Sequence, residues 1–207
     1  MIKNNFINTA RSISFNKGRN KALKGNNKNK PPNIWLFTDS IKTLDPVKLA
    51  KNLPIKSGIV IRNYKSKNKE AIIRNILNIK KRKSLTVLIA GKYRTNLNAD
   101  GNHLPQWVNY STRVKKITSV SVHAARDIRK SINLKADLVF ISPVFLSSSH
   151  DSNQHLGIIR LGLLARLFKK DVIALGGINK KNISRLRSLP ISGCAGIDIF
   201  LEHLQQA

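Results

Sequence analysis

The sequence predicts an α/β protein: a compact (β/α)8 TIM barrel preceded by a disordered, basic N-terminal arm. Between residues 34 and 200, short apolar runs alternate with longer, basic, helix-like stretches, and such alternation places the runs in a parallel sheet with helical crossovers. The run at 84–91, SLTVLIAG, is apolar without alternation, as a strand covered on both faces would be. Eight runs can be counted, more than the roughly five or six of an open doubly wound sheet, so a closed barrel compressed below its usual length of about 250 residues fits better.

In chain order, IWLFT at 34–38 lies between Pro32 and Asp39 and reads as the first strand. SGIVIRN at 57–63 is β-branched and follows a turn containing Pro54. The stretch 67–83 places Ile72, Ile73, Ile76, Leu77 and Ile79 near one helical face, with basic residues elsewhere, which predicts an amphipathic helix. Strand three is 84–91, and the weakest candidate, NADGNH at 98–103, is the fourth. ITSVSVH at 117–123, a helix at 124–134 and ADLVFISPVF at 136–145 continue the alternation. A Ser, Asn, His and Asp loop over 147–155 leads into an apolar helix at 156–170, whose terminal lysines suit the negative end of its dipole. DVIALGGI at 171–178, a helix at 179–190 and SGCAGIDIF at 192–200 complete the series.

Residues 1–33 are expected to form a separate flexible extension and 34–207 the barrel. The extension holds eight basic residues and no acid, with too little apolar surface to offset the entropy of ordering it. It accounts for only part of the net charge of +28, a balance that favours anionic partners and opens non-specific nucleic-acid binding through the arm. The aromatics, 6% of the chain, are not grouped as a base-stacking platform, which counts against specific single-strand recognition. The single cysteine, Cys194, excludes an internal disulfide or a cysteine-based zinc site. No apolar run approaches the 18 residues of a membrane span. The expected location is cytoplasmic, with organellar targeting by the acid-free, Arg- and Ser-containing arm left open.

Several residues are placed to carry chemistry. Gly176 and Gly177 end a strand, and Gly193 and Gly196 lie on the next. Glycines let a phosphate approach peptide N–H groups closely, so the two loops suggest an anion cradle at the C-terminal face; tight turns are the plainer reading. Ser142 to His150 presents serines and an imidazole after strand six, hydroxyls that could donate to phosphate, or a simple polar loop. Arg62 ends strand two and could grip an anion or remain solvated. His123 ends strand five, where a group titrating near neutrality could shuttle protons, or cap a helix. His103 is a weaker candidate, Asp39 reads as a turn residue, and Asp100 alone cannot build a magnesium site.

These stretches resemble the family of thiamine phosphate synthase and its relative, thiazole tautomerase. The resemblance runs from about Ile34 to Phe200 and is carried by ADGNHLP, SVSVH, ADLVFISPVFLSSSH, Leu156-Gly157, VIALGGINKKN and GCAGIDIF. It implies a small (β/α)8 barrel acting on phosphorylated small molecules. The synthase joins hydroxymethylpyrimidine diphosphate to thiazole phosphate, with magnesium assisting departure of pyrophosphate. By the same resemblance, Gly176, Gly177 and Gly196 match the thiazole-phosphate cradle, and Ser147 and Ser149 inherit hydroxyl positions. Ser121 matches a serine near pyrophosphate, and Arg62 an arginine whose motif partners are here Val60 and Tyr64. His150 stands where the family has lysine, Ala90-Gly91 where it has Asn-Asp, and an expected acid is absent from GNHLPQWVNY. No cofactor is therefore expected, and magnesium only if synthase activity is retained. The tautomerase histidine falls on His123, leaving His123, Arg62 and Ser121 as the catalytic candidates. A transferase, an isomerase, a non-catalytic phosphometabolite-binding barrel and a basic RNA-associated protein all remain open, as does the oligomeric state.

Overall fold

Each of the eight apolar runs contributes one strand. The computed structural model describes residues 10, 30–39, 43, 45–62, 68–91, 97–108, 116–146, 154–197 and 200. Strands β1 (Ile34–Phe37), β2 (Gly58–Ile61), β3 (Thr86–Ala90), β4 (Gly101–Leu104), β5 (Ile117–Val122), β6 (Leu138–Ile141), β7 (Asp171–Leu175) and β8 (Gly193–Gly196) pair in chain order, and β8 closes on β1. All eight pairings are parallel. The helices are α1 (Pro46–Asn52), α2 (Lys69–Lys83), α3 (Ala125–Asn133) and α4 (Gly157–Leu167), with a 3-10 turn at Ile183–Leu186.

The two-residue period of a strand divides the apolar residues into two layers. Trp35, Phe37, Val60, Leu88, Phe140 and Ile173 fill the barrel interior. Leu36, Ile59, Ile61 and Val87 point outward and join a second cluster with Leu49, Ile73, Ile76 and Leu161 of the helices. The interior is an aromatic plug rather than a channel: Phe37 meets Phe140 edge to face at 4.8 Å, and Trp35 meets Phe140 at 5.3 Å. Trp35 fixes its neighbour on β2, because a Cβ at Gly58 would lie 2.2 Å from the indole ring.

Several boundaries differ from the sequence expectation. α1 was not expected; its signals are Asp45, whose carboxylate accepts from Lys48 N at 2.8 Å, and Pro46 at the first helical position. The fourth strand is displaced to Gly101–Leu104 because Asp100 instead accepts from Val87 N with its side chain at 2.7 Å. α4 stops at Leu167, where Phe168 turns extended. Lys169 and Lys170 therefore do not close the helix, and Lys170 pairs with Asp137 at 3.2 Å. The helix expected at 179–190 is reduced to the single 3-10 turn, since the side chains of Asn179 and Asn182 bond to local backbone N–H groups, as residues that compete with helix do. Within the expected arm, Ala10 is helical and buried in the main core, and residues 1–9 and 11–29, on which the expectation of a separate extension falls, lie outside the described residues. No helix among the described residues is long and apolar enough to cross a membrane.

Candidate functional site

At the C-terminal ends of the strands the lining changes from apolar to polar. On β5, Ser119 and Ser121 share the inward face, and His103 of β4 sits between them. Its Nδ1 lies 3.0 Å from Ser119 Oγ and its Nε2 3.0 Å from Ser121 Oγ. The ring also meets Phe37 and Phe140 edge to face at 5.3 and 5.4 Å. His103 is only 1% exposed. Burial first, then the charges of Arg62 and His123, push its pKa down from 6.5 to about 3, so His103 is a neutral imidazole at physiological pH.

Arg62 follows β2. Its backbone N–H donates to Thr38 Oγ1 at 2.9 Å, and its Nη2 donates to Asp39 Oδ2 at 3.0 Å. The guanidinium carbon lies 5.7 Å from the Phe37 ring centroid. Asp39, expected as a turn residue, is thus the ionic partner of the candidate arginine.

His123 follows β5 and is held from two sides. Asp127 Oδ2 accepts from the N–H groups of His123 at 2.8 Å and Ala124 at 3.0 Å, securing the start of α3. The imidazole Nδ1 lies 2.7 Å from the carbonyl oxygen of Ser142. A carbonyl only accepts, so Nδ1 carries the hydrogen and, in the neutral ring, the basic lone pair is at Nε2. Nε2 has no hydrogen-bond partner among the described residues.

The β6–β7 side of the rim is built from backbone. Val144 N donates to Leu175 O at 3.0 Å and Phe145 N to Gly176 O at 3.1 Å, laying the segment after β6 across the glycine pair. Gly177 has φ +65°, and a Cβ there would fall 2.2 Å from Leu146 O; Gly176 has φ +96° and packs on Pro143. Both glycines therefore have a packing reason to be there besides any ligand. Asn182 Nδ2 holds Gly177 O at 2.8 Å, while the N–H groups of Gly177 and Ile178 form no hydrogen bond among the described residues. Gly196 ends β8 at the same end of the barrel, in register with Leu36.

Of the residues singled out in the sequence, Arg62, Ser121 and His123 gather around His103, and Gly176, Gly177 and Gly196 lie on the same end. Ser147, Ser149 and His150 lie outside the described residues. Sequence reasoning gave too little weight to His103, whose signal was its place two residues after Gly101 on an inward-facing strand. It also missed Asp127, whose signal was an acid in the first turn of a helix.

The described carboxylates do not fit a magnesium site. Asp39 is paired with Arg62, Asp127 is occupied by backbone N–H groups, and Asp100 pairs with Lys80 at 2.7 Å away from the rim. Ala90 and Gly91 offer no side-chain oxygen, and no group of three metal-binding side chains occurs among the described residues. Burial also pushes the Cys194 thiol up to about 12, so it supplies no thiolate near neutrality. At the opposite end of the barrel a groove of about 570 Å³ is lined by residues including Lys30, Pro32, Ile55, Lys56 and Ser84, and none of the described candidate residues lines it.

The family model for thiamine monophosphate synthase matches residues 48–200, well over half of the chain. The chain belongs to the thiamine monophosphate synthase family. It is 31% identical over 110 residues to a thiamine-phosphate synthase of Latilactobacillus sakei, an alignment covering 49% of each chain. With the thiamine-phosphate synthase of Clostridium tetani it shares 25% identity over 189 residues, covering 84% of this chain and 90% of that one. The thiamine phosphate pyrophosphorylase structure from Pyrococcus furiosus superposes with a TM-score of 0.68 at 19% identity, covering 87% of this chain and 96% of that one, a likeness of fold. The first three curated relatives are matched over only 59%, 49% and 29% of their own lengths. Membership of the thiamine monophosphate synthase family thus fixes the type of barrel.

Proposed function

We propose that this barrel binds a thiazole phosphate or a related phosphorylated metabolite at the C-terminal end of its strands and isomerises it by proton transfer through His123. The observation that carries this reading is His123 itself, with Nδ1–H committed to Ser142 O and the basic lone pair left at Nε2. Nε2 takes a proton from an acidified carbon of the substrate, giving a delocalised carbanion and an imidazolium. The same proton returns to a different ring atom, so that a double bond moves and no atom or electron is gained or lost. Arg62, partly neutralised by Asp39, orients the anionic substrate, and Ser121 lies beside it. The N–H groups of Gly177 and Ile178, with the backbone at Gly196, supply a phosphate cradle that requires no side-chain charge. Ser147 and Ser149 belong to this reading as further phosphate contacts.

A coupling reaction with a diphosphate is the less supported alternative, because departure of pyrophosphate demands cationic stabilisation, and the described carboxylates do not assemble a site for magnesium. The deciding experiment titrates the purified chain with thiazole phosphate, with and without magnesium, and assays both tautomerisation and pyrimidine coupling. Metal-independent tautomerisation that is lost in His123→Ala supports the proposal. Efficient magnesium-dependent coupling indifferent to that substitution overturns it, and binding without turnover leaves a phosphometabolite-binding barrel. The basic extension over residues 1–33 is read as an electrostatic accessory: removing it should weaken any RNA binding most at low salt.

A further inference from the structure

We propose that Ser121 faces the ligand as a hydrogen-bond acceptor only, its single hydrogen being committed to His103, and that it selects a substrate carrying an N–H or O–H donor at that point rather than a bare phosphate oxygen. The carbonyl of Asn102 is the buried end of a four-member chain that runs through Ser119 and His103 to Ser121. Ser119 Oγ lies 3.2 Å from the backbone carbonyl oxygen of Asn102. A carbonyl has no hydrogen to give, so the one hydroxyl hydrogen of Ser119 is directed there. The 3.0 Å contact between Ser119 Oγ and His103 Nδ1 then requires Nδ1 to be the donor.

The aromatic cage and full burial keep the ring neutral, so only one ring nitrogen carries a hydrogen and Nε2 is a bare acceptor. At 3.0 Å from Nε2, Ser121 Oγ must donate inward. What remains on Ser121 is lone pairs. Ser119 and His103 are buried, whereas Ser121 is half-buried at the outer end of the chain, on β5 two residues before His123. Two acceptors repel, so an unprotonated phosphate oxygen is disfavoured against Ser121, while an amine, amide or hydroxyl hydrogen of the ligand is bonded. Ser119 and His103 are positioning residues: they set the direction of a hydrogen and touch no substrate.

This inference rests on the same end of the barrel being the ligand site, and the test separates the two. Nitrogen-15 imidazole spectra of the whole chain report the tautomer of His103 without any ligand. The expected result is a protonated Nδ1 and a bare Nε2; the reverse tautomer or an imidazolium overturns the hydrogen chain whatever the protein binds. Ser119→Ala removes the acceptor for Nδ1–H, and should shift His103 toward the other tautomer and allow Ser121 to turn its hydrogen outward. Two probes then read the outward face, an aminopyrimidine as the N–H donor and inorganic sulfate as a tetrahedral oxyanion without hydrogens. Ser121→Ala should loosen the aminopyrimidine by about tenfold and leave sulfate unweakened, while Ser119→Ala should tighten sulfate a few-fold. Tenfold loss of sulfate affinity in Ser121→Ala, with the aminopyrimidine unaffected, overturns the acceptor assignment. If the native chain holds neither probe, the ligand-site reading falls and takes the donor selection with it, leaving the spectrum to decide the hydrogen chain alone.

Discussion

The two halves of the barrel's C-terminal rim are built on different chemistry. Over β1, β2, β4 and β5, side chains do the work: Arg62 is matched by Asp39, His123 is held by Ser142 and Asp127, and Ser121 is tied to His103. Over β6 and β7 the backbone does it, with Gly176 and Gly177 under the Pro143–Leu146 segment and the N–H groups of Gly177 and Ile178 without a hydrogen bond among the described residues. The first half can lose a group and keep its fold, because most of its members are supported by strands whose packing lies below them in the aromatic plug. In the second half the fold and the candidate ligand contacts share the same atoms. Substitutions should therefore separate chemistry from stability on one side and fail to separate them on the other.

The largest expected effect is on the side-chain half. If the proposed proton transfer operates, His123→Ala should reduce its rate by about 10²–10⁴-fold, with phosphate affinity and unfolding midpoint changed little. Kinetics measured beside equilibrium phosphate binding read both quantities, and an equal loss of binding and rate would erase the contrast. Next comes Gly177→Ala on the backbone half. A Cβ would lie 2.2 Å from Leu146 O at a φ of +65°, a combination of overlap and backbone strain expected to cost about 3 kcal/mol. Urea denaturation should show this loss even without ligand, and a variant of native stability that fails only to bind phosphate would show that the glycine serves the ligand alone.

How much of this was legible depends on whether the signal was local. Strands such as VLIA in β3 and LVFI in β6 announce themselves because a strand covered on both faces must be apolar throughout. His123 and Arg62 were legible as polar residues directly after apolar runs, which places them on a barrel rim once the parallel topology is granted. His103 was not, since its importance comes from Ser119, Ser121, Phe37 and Phe140, residues brought to it only when neighbouring strands pair and the barrel closes. The Asp39–Arg62 pair is hidden for the same reason, the two lying 23 residues apart in sequence. The glycine pair was legible as a site of close approach, but not the fact that the approaching group includes the chain's own Leu146 O. Helix ends were misplaced where side chains outvoted periodicity, as at Asn179 and Asn182.

A smaller effect distinguishes the halves by pH, because the side-chain half holds a buried imidazole. His103 has a folded-state pKa of about 3 against 6.5 unfolded. Between these values the unfolded chain binds a proton that the folded chain does not, so stability from this group is full above about pH 6.5 and is lost progressively as pH falls toward about 3. One proton corresponds to a slope of at most about 1.4 kcal/mol per pH unit. Denaturation midpoints of the native chain and His103→Gln across that window should differ in slope, the variant being flatter. Parallel slopes would mean that His103 takes up its proton alike in the folded and unfolded chain, so that burial does not hold the ring neutral across this window.

The smallest expected change tests whether Asp39 restrains Arg62. Their side chains are 27% and 30% exposed, and a partly solvated pair of this kind contributes only about 0–1 kcal/mol to stability. Asp39→Asn should therefore leave the unfolding midpoint nearly unmoved. The carboxylate nevertheless competes with any anion for the same guanidinium at 3.0 Å, so its neutralisation should tighten phosphate by a few-fold, most visibly at low salt, where charge interactions are least screened. Gly177→Ala offers no such compensation, since no charge there is waiting to be released. Tighter phosphate binding in Asp39→Asn at unchanged stability marks Arg62 as an anion contact held in reserve. Unchanged affinity across the salt series would make the ion pair a purely structural clasp between β1 and β2 and remove Arg62 from the site.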